Sequence, residues 1–185
     1  MTKIVILYGT TEGHTARIAQ YLADDIRGHG HVADAVDLKR AQQGLLDGYD
    51  AVILGGSIHM GKHEDSVRDF TRRNRVALER LPSAFFSVSL AAHGDMANAQ
   101  AYVENFEQET GWMPAQVGLF SGALLYRQYG FIKRLMMKKI VSSKPGGLST
   151  DTSRDHEYTD WEQVKWFAED FLKRLAPADA TKINS

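Results

Sequence analysis

The chain has 185 residues, of which 43% are hydrophobic and 24% charged, and its net charge is −1. This composition is typical of one globular domain with a sizeable core, and the near-zero charge excludes a general electrostatic preference for nucleic acid. The chain has no cysteine, which excludes disulfides, thiol catalysis and cysteine-ligated iron–sulfur clusters, and no apolar run reaches the roughly 20 residues that span a bilayer.

Strand and helix patterns alternate along the chain, as they do in parallel β-α-β units. Strands are predicted at residues 3–8, 31–38, 51–56, 84–90 and 116–123, and helices at about 14–27, 64–78, 97–109 and 159–175. This order predicts a single α/β domain over residues 1–175, with a doubly wound five-stranded parallel sheet in the strand order 2-1-3-4-5. Because the chain begins directly with a strand, we expect no secretory leader and a cytoplasmic location.

Two further expectations concern the C-terminal part of the chain. Thr159 and Glu162 have the spacing of a capping box, which makes Thr159 the expected N-cap of the last helix. Residues 176–185 contain Pro177 and mostly polar residues, so they are expected to form a flexible tail.

The loop between the first strand and the first helix is rich in Thr and Gly. Backbone N–H groups and the positive end of the helix dipole converge at such a helix start, which favours binding of a phosphate. The hydroxyls of Thr10, Thr11 and Thr15 can add donors, and Gly13 allows close approach of the backbone. The spacing matches neither the P-loop of nucleoside triphosphatases nor the Gly-x-Gly-x-x-Gly dinucleotide fingerprint.

The pattern Ile6-Leu7-Tyr8-x-Thr10-x-x-Gly13-x-Thr15 resembles the flavodoxin signature, which implies a flavodoxin-like fold and a bound FMN. Loops at residues 57–62 and 91–95 follow two other strands at the same sheet edge, where they are expected to flank the flavin ring. The predicted FMN-binding residues lie in these loops and at the ends of the last two strands: Thr10, Thr11, Glu12, Gly13, His14, Thr15, Ser57, Ile58, His59, Met60, Gly61, Ser89, Leu90, Ala91, Ala92, Gly122 and Ala123.

About 35 residues, 124–158, separate the last strand from the last helix, where the fold needs only a short connection. Residues 124–147 contain six Lys or Arg and no acidic residue, with apolar residues at helical spacing up to Pro145-Gly146-Gly147. A basic amphipathic helix over residues 127–144 predicts peripheral association with an anionic membrane. One alternative is a helix packed on its own domain, whose apolar residues all belong to the core and whose Lys and Arg face solvent. Another is a lid packed over the active-site cleft. A nucleic-acid surface fits less well, because the aromatic residues lie at one end.

More specific motifs occur in the second half of the chain: Pro82-Ser83-Ala84-Phe85-Phe86-Ser87-Val88, Trp112-x-Pro114, Gly122-Ala123-Leu124-x-Tyr126, Gly146-Gly147 and Tyr158-Thr159-Asp160-Trp161-Glu162-Gln163-Val164. Together with the insertion, they resemble the quinone-dependent (menaquinone-type) protoporphyrinogen oxidases of bacteria over roughly residues 3–172. The resemblance implies an FMN-dependent protoporphyrinogen IX dehydrogenase of haem biosynthesis, with menaquinone or ubiquinone as electron acceptor. It also favours association of the insertion with the inner face of the cell membrane.

Three positions depart from the family pattern. Met60 stands where the family tends to have a Tyr, Ser89 replaces an Asn, and the stretch Ala92-His93-Gly94 is shorter and less basic. Two other functions stay open on the same fold: an NAD(P)H:quinone oxidoreductase and a flavodoxin-type electron carrier. The basic insertion and the near-neutral charge argue against the carrier, whereas nothing in the sequence excludes a nicotinamide platform. The oligomeric state is not predicted.

Four histidines in the predicted loops are candidate proton carriers, because imidazole titrates near neutral pH. They are His14, His59, His63 and His93. The alternative is that they are ordinary loop histidines facing solvent. Their spacing predicts no metal site, and no general base is identified.

Overall fold

A computed structural model describes residues 1–42 and 44–175 of the chain. Its eight strands are β1 (Lys3–Gly9), β2 (Val32–Asp37), β3 (Ala51–His59), β4 (Lys62–His63), β5 (Ser83–Ser89), β6 (Val117–Ser121), β7 (Ala123–Leu124) and β8 (His156–Glu157). The five long strands form a parallel sheet in the order β2-β1-β3-β5-β6. Counted among the long strands alone, this is the predicted order 2-1-3-4-5, so the predicted fold class is confirmed.

Helices cover both faces of the sheet, because its central strands are apolar on both sides. The helices are α1 (His14–Gly28), α2 (Asp65–Arg80), α3 (Met96–Thr110), α4 (Phe131–Ser142) and α5 (Trp161–Leu175). Ile4 and Ile6 of β1 point into a core shared with α1 and α5, whereas Val5 and Leu7 point into a core shared with α2 and α3. This alternation along a strand buried on both faces is typical of doubly wound sheets.

The segment predicted as a loop at residues 57–62 is mostly strand. β3 continues to His59 and pairs with β4 in an antiparallel hairpin. Met60 and Gly61 form its two-residue turn with φ angles of 50° and 81°. Positive φ at both central residues is the geometry that matches the twist of a tight hairpin, so Gly61 was the sequence signal for this turn.

Two other boundaries differ from the prediction. The last long strand ends at Ser121, and Ala123–Leu124 pairs with β8 instead of continuing the sheet. The N-cap of α5 is Asp160, not Thr159, because the Asp160 carboxylate accepts hydrogen bonds from the amides of Glu162 and Gln163. The Thr159 hydroxyl is instead directed to the Ser121 carbonyl. The tail predicted at residues 176–185 lies outside the described residues.

The insertion at residues 124–158 has a small core of its own, separate from the two sheet cores. Its buried members are Leu124, Tyr126, Tyr129, Val141 and Leu148. Val141 is the only residue of α4 that is buried, so the apolar residues of this helix are not all core. Within the described part of the chain, no helix combines the length and apolar character needed to cross a bilayer.

Candidate functional site

A cleft of about 290 Å³ lies at the carboxyl edge of the sheet, beside the ends of β1, β3 and β5. It is lined by every predicted site residue except Gly13 and Ala92. The lining residues that were not predicted belong mostly to the insertion: Val88, Tyr102, Tyr129, Lys133, Met136, Met137, Ile140 and Lys144. The helical spacing of apolar residues indicated α4, but spacing alone does not show which side of a helix faces the cleft.

The loop between β1 and α1 is held in shape by its own groups. The Gly13 amide donates to Thr10 Oγ1 over 2.9 Å, and the Lys39 ammonium donates to the Thr10 carbonyl over 3.2 Å. Gly13 has a φ of 87°, a left-handed conformation that favours glycine. Among the described residues, no side chain caps the start of α1. Its first N–H groups therefore suit an anion, and the loop fits a phosphate.

Glu64 joins this loop to the end of β3. Its Oε1 accepts from Thr11 Oγ1 over 2.8 Å and from Ser57 Oγ over 2.9 Å. In this structure the Thr11 proton is directed to Glu64, whose carboxylate is a charged acceptor. Thr11 stays a predicted donor beside Thr10, Thr15 and the backbone N–H groups of the loop, because a phosphate is a charged acceptor as well.

His14, the first residue of α1, is 6% exposed. Its Nε2 lies 2.6 Å from Thr159 Oγ1, and the Thr159 hydroxyl donates its own proton to the Ser121 carbonyl over 2.6 Å. The proton between the ring and Thr159 must therefore reside on His14 Nε2. Nδ1 of the same ring is buried and has no hydrogen-bond partner in the described structure. Burial lowers the pKa of His14 below its ordinary value.

The insertion is tied to the phosphate loop through Glu12. The Tyr129 hydroxyl donates to Glu12 Oε2 over 2.7 Å, and the Lys133 ammonium donates to Glu12 Oε1 over 2.6 Å. Lys133 also lies 4.4 Å above the Tyr129 ring. Burial and the hydrogen bond to Glu12 raise the pKa of Tyr129, so this phenol is a neutral donor at physiological pH. The Lys133 cation offsets the one carboxylate of the loop, which would otherwise repel an anion.

The far end of the insertion is fixed by a close backbone contact. A Cβ placed on Gly94 would lie 2.3 Å from Gly146 Cα, so these two backbone segments approach at a distance that only glycine permits. Between the two attachments, Met136, Met137 and Ile140 of α4 line the cleft. The cleft thus has a hydroxyl-rich end and an apolar side covered by the insertion, which suits a planar apolar group carrying a phosphate.

The other candidate histidines have different surroundings. His59 lines the cleft and is exposed, whereas His93 is exposed on the stretch after β5 and contacts the Tyr158 ring. His63 lies in the core, where its Nε2 is 2.9 Å from Ser87 Oγ and burial lowers its pKa to about 3. His63 is therefore a neutral core residue, and His14 and His59 are the candidates that the cleft retains.

Comparison with known proteins agrees with this geometry. Residues 5–153 match the flavodoxin domain family, which supports a flavin as cofactor. The chain is 35% identical over 169 residues to protoporphyrinogen IX dehydrogenase [quinone] of Escherichia coli (strain K12), covering 90% of this chain and 92% of that protein. It is 36% identical to the protein of the same name from Leishmania major, covering 91% and 74% of the two chains. A flavodoxin structure from the domain Archaea superposes with a TM-score of 0.55 at 16% identity, covering 94% and 98%. The predicted resemblance is confirmed: the chain belongs to the flavodoxin domain family and, within it, to the family of quinone-dependent protoporphyrinogen IX dehydrogenases.

Proposed function

We propose that the chain is an FMN-dependent oxidoreductase that converts protoporphyrinogen IX to protoporphyrin IX and reduces a quinone. The structural observation that best supports the proposal is the uncapped start of α1, which opens into a cleft covered by the insertion. The two relatives above carry this substrate and acceptor in their names. The porphyrinogen loses six electrons and six protons in all, and three quinones each take up two of both to become quinols.

The residues of the chain bind and orient the reactants in this proposal. The backbone of residues 10–15 holds the FMN phosphate, and Ser57–Gly61 and Ser89–Ala91 flank the ring. When bound, FMN supplies the two-electron redox chemistry that no side chain of this protein can supply. Met136, Met137 and Ile140 cover one side of the cleft, and Lys144 places a cation on its border, where it attracts a propionate of a porphyrinogen.

Two experiments test the proposed cofactor and the proposed reaction. Extraction of the purified protein is expected to release FMN, identified by its mass and its visible spectrum. Anaerobic mixing of the FMN-loaded protein with protoporphyrinogen and a menaquinone analogue is expected to give porphyrin fluorescence well above the uncatalysed rate. If porphyrin forms no faster than without protein while NADH or NADPH rapidly reduces the quinone, the function is that of an NAD(P)H:quinone oxidoreductase. If neither donor is turned over, the electron-carrier alternative holds.

We also propose that α4 associates peripherally with an anionic membrane, where the lipid-soluble quinone resides. Phe131 and Ile132 are 74% and 82% exposed, and Leu135 is 53% exposed on the same side of the helix. Lys138 and Lys139 are exposed on that side, about one turn after Leu135. An apolar stripe next to cations matches the border of an anionic bilayer. Lys133 is paired with Glu12 and Arg134 with backbone carbonyls, so these two cations contribute less to membrane binding.

Lys138→Glu combined with Lys139→Glu is expected to release the protein from anionic vesicles, because each cation near such a surface contributes about 1 kcal/mol. Sedimentation with phosphatidylserine vesicles measures the effect, and added salt should weaken binding of the unchanged protein. The matched control is Arg73→Glu with Arg80→Glu on α2, a helix with no residue in the cleft, which makes the same change in charge. FMN content should be equal in all three proteins. Equal sedimentation of the two double variants would reject the membrane surface.

A further inference from the structure

Two observations distinguish His14 from the other histidines of the described chain. It is the first residue of a helix whose N–H groups are uncapped, and its Nδ1 is buried without a hydrogen-bond partner among the described residues. A buried polar atom without a partner costs free energy, and such an atom in a native structure calls for a ligand, a water or an ion. Since His14 also lines the cleft, the group that the loop is built to bind can supply that partner.

The hydrogen bonds of the ring decide what Nδ1 can do. Nε2 carries a proton, because Thr159 gives its own proton to Ser121. In the neutral ring Nδ1 is therefore a lone pair, which repels a phosphate oxygen. In the imidazolium Nδ1 is a donor with a full positive charge nearby, which attracts the same oxygen. Only the imidazolium is compatible with a phosphate dianion at this helix start, because no oxygen of the dianion can donate to the Nδ1 lone pair.

We propose that His14 binds the FMN phosphate as an imidazolium, so that binding of the cofactor brings one proton from solvent onto Nδ1. The inference rests on the proposed FMN cofactor and goes beyond it, because it assigns a positive charge to a loop whose residues 10–15 include no Lys or Arg. Thr159 acts as a positioning residue that fixes which nitrogen remains to be protonated.

The groups around His14 set the direction in which a bound phosphate shifts its pKa. Burial lowers its pKa, Glu157 on β8 raises it and Arg17 on α1 lowers it. Glu157 and Arg17 are 2.7 Å apart and largely offset each other. On the α5 side the neighbour is Trp161, which does not titrate. The free protein therefore holds His14 neutral at pH 7, and a bound phosphate dianion is the one added charge that raises its pKa.

The pH dependence of the affinity for FMN follows from this upward shift of the His14 pKa on binding. Affinity for FMN is highest below the pKa of His14 in the free protein. It then falls by up to about tenfold per pH unit as the pH rises towards the higher pKa of the complex, and it is constant above that value. Ionisation of the FMN phosphate acts in the opposite direction, but it is common to all variants of the protein.

Calorimetric titration of the cofactor-free protein with FMN, in buffers of different ionisation enthalpy, counts the protons taken up. At pH 7 to 8 the unchanged protein is expected to take up more protons than His14→Gln, whose amide can donate but cannot titrate. The ¹⁵N chemical shifts of the His14 imidazole, recorded by NMR with and without FMN, report the protonation state of the ring directly and need no variant. Equal proton uptake in both proteins, or a neutral ring in the complex, would overturn the inference and leave the FMN proposal intact. Absence of FMN binding by the unchanged protein would instead reject the cofactor.

Discussion

Gly13→Val is expected to lower the affinity for FMN by about a hundredfold, which corresponds to roughly 2.7 kcal/mol. Gly13 has a φ of 87°, and a β-branched residue in this region is strained by about 1–3 kcal/mol. Its two chain neighbours aside, no atom of the described residues lies within 4 Å of a Cβ placed there, so the substitution meets no clash in this part of the chain. The loss therefore comes from the backbone of the loop, whose shape depends on the hydrogen bond from the Gly13 amide to Thr10.

Gly13→Asn is the matched control, because asparagine occupies the same open space but tolerates the left-handed conformation. We expect its affinity for FMN to stay within a few-fold of the unchanged protein. Calorimetry or quenching of flavin fluorescence measures both variants, and their thermal unfolding without FMN shows whether the fold is intact. Tight binding by the valine variant would mean that the phosphate does not lie at this loop. Equal losses in both variants would indicate a clash with the ligand instead of backbone strain.

The predictions from sequence succeeded where a residue pattern has one structural solution. A continuous apolar strand followed by a Thr/Gly loop and an amphipathic helix predicts a doubly wound sheet, and the five strands and their order were predicted on this basis. The same pattern located the cleft, because the carboxyl ends of neighbouring parallel strands meet at one edge. For Gly13 the residue was predicted, but the reason was different: the glycine is required by its φ angle and does not itself line the cleft.

The parts that were not predicted depend on contacts between distant segments. Glu64 binds Thr11 across 53 residues, and Tyr129 binds Glu12 across 117. Neither pairing leaves a local pattern, because each residue alone resembles an ordinary polar surface residue. The alternative that α4 packs on its own domain holds for the side that lines the cleft, but its apolar residues are not all core. The helix divides them between the cleft and solvent, and this division is set by its attachments at Glu12 and Gly94.

The largest loss of stability is expected for Gly55→Ala, in the strand next to the phosphate loop. Gly55 pairs with Tyr8 of β1 and with Phe86 of β5, and the Phe86 ring covers it. A Cβ on Gly55 would lie 2.0 Å from Phe86 Cζ, and Phe86 is fully buried. The ring has no free space to move into, so the fold must shift around it. Overpacking of this kind costs about 1–3 kcal/mol and occasionally more, and we expect the upper end.

The neighbouring glycine of the same strand provides the matched control for this prediction. Gly56→Ala places a Cβ 3.2 Å from Val67 Cγ2, a contact that a small adjustment relieves, so its cost should be below about 1 kcal/mol. Phe86→Leu removes the ring atoms that meet the new Cβ. Combined with Gly55→Ala, it should destabilise the protein by less than the sum of the two single changes, with a coupling energy of about 1–3 kcal/mol. Urea unfolding of the four variants measures these energies. If the losses of unfolding free energy in the two single variants add up to the loss in the double variant, the alanine is accommodated without moving Phe86. The tight contact between β3 and β5 would then not help to hold the strand ends that form the cleft.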